Sequence, residues 1–99
     1  MKVPELQPIL DKIALLKDNP SASDIYEVIT REVNAAYTPS MGQTVCVHII
    51  EMCHPRAWGD RFVHGYDQPI DKWLNFLGEL EEIANSCGQA IYINSGGKG

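Results

Sequence analysis

Cysteine is scarce in this 99-residue chain, and Cys46, Cys53 and Cys87 form an odd set without the spacing of a disulfide framework. Free thiols belong to reducing compartments, so the expected location is the cytoplasm. Basic residues are few as well. Eight Lys and Arg stand against 13 Asp and Glu, a net charge of −5. Only Lys12/Lys17 and Arg56/Arg61 sit close together, too thin a footprint for phosphates, so neither nucleic acid nor an anionic membrane is an expected partner. Long apolar runs are missing too. Ile13-Ala14-Leu15-Leu16 is far short of the roughly 20 residues a membrane span needs. No apolar signal region follows Met1-Lys2-Val3-Pro4, and no repeat, heptad or low-complexity tract occurs.

What remains is an ordinary globular composition, 44% hydrophobic and 21% charged. A chain of this length hides roughly 65% of its unfolded surface on folding, enough for a core without metal or disulfide staples. The expected organisation is one domain over residues 1–94 with a flexible tail at 95–99.

Leu6, Ile9, Leu10, Ile13 and Leu16 recur at helical spacing behind Pro4 and Pro8, and Asn19-Pro20 ends that helix. Ser21 and Asp24 resemble a capping box for a second helix, with Ile25, Val28, Ile29, Val33, Ala36 and Tyr37 as its buried stripe. Thr38-Pro39 stops it and Ser40-Met41-Gly42 forms a turn. Thr44 to Met52 is dense in Val and Ile, which predicts a central strand with both faces covered. Arg61 to His64 reads as a short returning strand. Asp67-Gln68-Pro69 starts a third amphipathic helix that carries Ile70, Trp73, Leu74, Leu77, Leu80 and Ala84 and is capped by Gly88. Its run of Glu79, Glu81 and Glu82 reads as a solvated flank. Gln89 to Asn94 then reads as a last strand. The resulting class is α+β: two N-terminal helices, a small mixed sheet of two to three strands, and a third amphipathic helix packed on it.

Chemistry concentrates in residues 53–67, which hold two of the three His, two of the three Arg and one of the two Trp. A connector rich in Arg, Trp, His and Tyr has the composition of a contact surface. The primary functional expectation is therefore a small acidic protein-binding module, an accessory or inhibitory factor. Its contact residues would be Arg56, Trp58, Asp60, Arg61, His64 and Tyr66. On that reading, Arg56→Ala or Trp58→Ala loses the partner and leaves the fold intact. A plainer account makes the segment a hairpin whose Trp58 and Phe62 plug the sheet edge.

A chemical alternative centres on Cys53, His54 and His64, as metal ligands with Asp60 or as a thiol nucleophile with a His base oriented by Asp60 or Asp67. The ligand spacing of a structural zinc site is missing, and no metal or cofactor is expected. Ser95-Gly96-Gly97-Lys98-Gly99 looks superficially like a phosphate loop but leads into no helix. An edge strand at Gln89–Asn94, with the apolar strand and the third helix, would also favour pairing of two copies as a homodimer.

Overall fold

A computed structural model describes residues 3–66 and 71–96. Its architecture corrects the α+β expectation: the described residues form four α-helices and contain no strand. The first helix, α1 (Gln7–Ile13), is extended at both ends by 3₁₀ turns at Pro4–Leu6 and Ala14–Leu16. The others are α2 (Ser23–Ala35), α3 (Pro39–Met52) and α4 (Lys72–Asn94). A 3₁₀ turn at Trp58–Asp60 lies in the connector between α3 and α4.

The N-terminal half follows the apolar spacing closely. Leu6, Ile9, Ile13 and Leu16 are fully buried, as are Ile29 and Val33 of α2. Val28 and Tyr37, expected in the stripe of the second helix, instead face solvent. The expected capping box does not form either. The N-cap of α2 is Ala22, without a side-chain cap bond. Ser21 Oγ instead accepts from the backbone N–H of His64, and Asp24 accepts from Arg61.

The central strand expected over Thr44–Met52 is the body of α3. Thr38-Pro39, read as a stop, is also a start: Thr38 Oγ1 accepts from Met41 N–H at 3.1 Å, and Pro39 sits where a missing N–H costs nothing. Ser40-Met41-Gly42 is then the first turn of the helix rather than a loop. Burial settles the period. Gly42, Val45, Cys46 and Ile49 are inside at steps of three, one and three, whereas Val47 is half-exposed. A strand would have put Val45, Val47 and Ile49 on one side.

The strand expected at Gln89–Asn94 is likewise the last part of α4. Leu77, Leu80, Ala84, Cys87 and Ile91 continue one buried stripe at alternating steps of three and four, straight through Gly88. Gly88 is therefore no cap. The left-handed residue after the helix is Gly96, at φ 75°. The third expected strand, Arg61–His64, is irregular backbone. The helix start expected at Asp67-Gln68-Pro69, the core position Ile70 and the end of the tail at 97–99 lie outside the described residues.

Helices α3 and α4 form the main packed pair, and they run antiparallel. A Cβ built on Gly42 would meet Ile91 Cδ1 at 3.0 Å, and one built on Gly88 would lie 3.7 Å from Cys46 Cβ. Farther along, Cys53 faces Glu81 closely enough to feel its charge. α1 crosses α4, where Lys12 is ion-paired with Glu79 and its Nζ lies 4.6 Å from the centre of the Phe76 ring. At the same end Tyr66, Trp73 and Phe76 pack with ring centres 5.3 to 5.6 Å apart.

Candidate functional site

The connector 53–66 leaves α3 and returns towards α4, and it is built around one carbonyl and one indole. His54 O accepts from Ala57 N–H at 2.9 Å and from Gly59 N–H at 3.2 Å. Gly59 is confined there, because an added Cβ would stand 3.2 Å from that same carbonyl and 3.1 Å from Leu74 Cδ2. Trp58 is buried under this turn at 7% exposure, and its own carbonyl accepts from Trp73 Nε1 at 2.8 Å. Buried backbone polar groups need such partners, so the Trp73 indole holds the connector onto α4.

The second half of the connector is fastened to the turn before α2. Arg61 grips both carboxylate oxygens of Asp24, at 2.8 and 3.0 Å, and also donates to Ser21 O at 3.2 Å. Hydrogen bonding from that guanidinium holds the Asp24 carboxyl below the usual carboxylate range. Three residues on, His64 donates its N–H to Ser21 Oγ at 2.8 Å, and its carbonyl accepts from Asn19 Nδ2 at 2.7 Å. Gly65, at φ 86°, then turns the chain towards Tyr66.

Arg61 has extended backbone, φ −103° and ψ 152°, and successive side chains along an extended segment alternate in direction. Val63 accordingly points inward, at 2% exposure, and Phe62 points out, at 67%. Of the six sequence-derived contact residues, Arg56, Asp60 and His64 are exposed on the same connector. Trp58 is buried, Arg61 is spent on Asp24, and Tyr66 is half-buried in the ring cluster. Phe62 was not among the sequence-derived contact residues, because the hairpin account plugged it into a sheet edge, yet it is exposed. Its exposure goes with its place between a buried Val and a paired Arg, and neither state is visible in a sequence.

The chemical alternative finds no support in this geometry. Among the described residues, no group of three His, Cys, Asp or Glu is assembled to hold a metal ion. Burial pushes the Cys53 thiol up to about 12, and the Glu81 carboxylate adds to that shift. Burial likewise raises the Cys46 thiol to about 12 and pushes Cys87 upward. A nucleophilic thiol needs the opposite environment. Iodoacetamide at neutral pH should therefore leave Cys53 unmodified in the folded protein and label it only after denaturation, as read by intact mass. Rapid selective labelling of the native chain at Cys53 would restore the thiol reading.

One pair escaped sequence reasoning altogether. His48 Nδ1 lies 2.8 and 3.0 Å from the two carboxylate oxygens of Glu32, bridging α2 and α3 beside a cleft of about 500 Å³. The cleft is otherwise apolar apart from Thr44, whose hydroxyl is committed to the Ser40 carbonyl at 3.1 Å. The His48–Glu32 pair joins α2 to α3.

Compared with protein-family models, curated proteins and solved structures, the chain matches none. Fold and connector together define an all-α protein with a braced, aromatic-bearing loop. No described helix is long and apolar enough to cross a membrane.

Proposed function

We propose that the chain is a small protein-binding module, an accessory or inhibitory factor, that engages its partner through connector 53–66 with Phe62 as the anchor. The observation that carries this reading is a Phe at 67% exposure on a loop fixed on both sides of it. A solvated aromatic on a floppy loop would lose much of its binding energy to ordering. Here Arg61–Asp24 and Ser21–His64 have already ordered the backbone, so docking costs less entropy. A large aromatic entering an apolar pocket is also a frequent centre of interface energy. The partner is accordingly a protein with an apolar pocket at its contact face, and Arg56, Asp60 and His64 would rim the contact. Three buried thiols without a disulfide suit a reducing compartment, and the proposed location is the cytoplasm.

The test compares wild type, Phe62→Ala and Phe62→Asp as baits for capture and cross-linking in lysate of the source cells. A partner held by wild type should be lost with both variants, while their melting curves stay within about 0.5 kcal/mol of wild type. If every captured protein is retained by Phe62→Asp, the anchor reading fails.

A further inference from the structure

The cleft between α2 and α3 lies apart from the connector, and the chemistry of its lining is one-sided. Ala35 and Ala36, where α2 ends, face Met41 and Val45 near the start of α3. Met41 is exposed and Val45 buried, so the apolar wall runs from solvent into the core. The volume of about 500 Å³ is that of a small-molecule site.

Three polar side chains line the same cleft, and each is left to accept hydrogen bonds. Thr44 gives its proton to the Ser40 carbonyl and keeps its lone pairs. His48 Nδ1 faces both oxygens of Glu32, so the neutral ring carries its proton there and presents Nε2 as an acceptor. Glu32 takes that single N–H and retains further lone pairs. Thr44 and His48 stand one turn apart on α3, on the same side of the helix. Among the described residues, no Lys or Arg lines the cleft. α2 ends and α3 begins at this corner, so their opposed dipoles offset and Glu32 sets the sign of the site.

We propose that this cleft binds a small organic ammonium ion, a protonated amine on an apolar body. An ammonium group has only donors, which suits a lining of acceptors, and its charge meets Glu32 in a charge-assisted hydrogen bond. The apolar body covers Ala35, Ala36, Met41 and Val45. An alcohol supplies one donor and no charge, and a carboxylate meets Glu32 with like charge. The net charge of −5 also draws small cations towards the chain.

The test is an NMR titration of the full chain at about pH 8, using phenethylamine, its neutral analogue phenethyl alcohol and the anion phenylacetate. Phenethylamine should give saturable shifts at Glu32, Ala35, Met41, Thr44 and His48, with a Kd of about 1 mM or tighter. The alcohol and the anion should bind at least about tenfold more weakly. So should acetyl-lysine amide, the stand-in for a lysine of a partner protein, whose flexible stem must be ordered on binding. Glu32→Gln keeps an oxygen for His48 Nδ1–H, so the fold should persist while amine affinity falls about tenfold. The ring nitrogens of His48 should show the proton at Nδ1. No saturable shift up to about 10 mM amine overturns the proposal. So does equal binding of the alcohol, the anion or the lysine amide, undiminished binding by Glu32→Gln, a His48 proton at Nε2, or amine shifts confined to another surface.

Discussion

Gly88→Pro is expected to cost at least about 3 kcal/mol, through loss of a helix hydrogen bond and a clash with the carbonyl one turn back. Gly88 stands inside α4, with six further helical residues after it, Gln89 to Asn94. Those residues bring Ile91, 1% exposed, against Gly42 of α3. Breaking the helix at 88 therefore also loosens the packing of the α3 N-terminus. The companion change, Gly88→Ala, behaves oppositely. Its new Cβ would lie 3.7 Å from Cys46 Cβ, an ordinary contact, and Ala is a better helix former by about 1 kcal/mol. Gly88→Ala should be neutral or mildly stabilising. Were Gly88 a cap before a strand, proline near it would be tolerated and alanine penalised. Thermal and urea unfolding of the two variants thus separates the two architectures, and a Gly88→Pro protein as stable as wild type would refute a continuous α4.

Trp58→Ala should destabilise by about 3 to 5 kcal/mol, the usual cost of emptying a buried indole site. Against the 5 to 15 kcal/mol that holds a typical domain together, this is a large share, and the melting temperature should fall by more than about 10 °C. The loss is one of packing, because Trp73 Nε1 donates to the Trp58 backbone carbonyl, which alanine retains. Trp58→Phe should recover much of the stability. Sequence reasoning expected the Ala substitution to remove a partner and spare the fold, and the 7% exposure of Trp58 reverses that expectation. Phe62, four positions on, gives the contrasting result: a near-silent effect on stability with the effect falling on binding. A Trp58→Ala protein that melts like wild type would show that the indole supports nothing.

These two residues mark how much of the candidate site was legible. The connector stood out by composition, and its exposed members Arg56, Asp60 and His64 were named from the sequence. Which aromatic faces water was not legible, because Trp and Phe carry the same apolar signal. Only the turn around the His54 carbonyl and the Arg61–Asp24 clasp sort them into one buried and one exposed. The clasp itself joins positions 37 apart, beyond the reach of any local motif. It also consumed Asp24, while the His64 N–H took the Ser21 hydroxyl, and local rules had assigned both side chains to a capping box.

By itself, the sequence determined the helices whose apolar spacing is unambiguous: α1, α2 and the front of α4. Leu6, Ile9, Ile13 and Leu16, or Leu77, Leu80 and Ala84, leave a strand no way to bury them on one face. Tertiary structure alone decided the state of Thr44–Met52 and Gln89–Asn94. Both are short and rich in β-branched or aromatic residues, so local propensity leans towards strand, by well under 1 kcal/mol per residue. Burying Val45, Cys46 and Ile49 of α3 against α4, and Cys87 and Ile91 of α4 in the same core, outweighs that lean. A buried Val or Ile side chain contributes about 1.5 to 3 kcal/mol, several times the propensity it overrides.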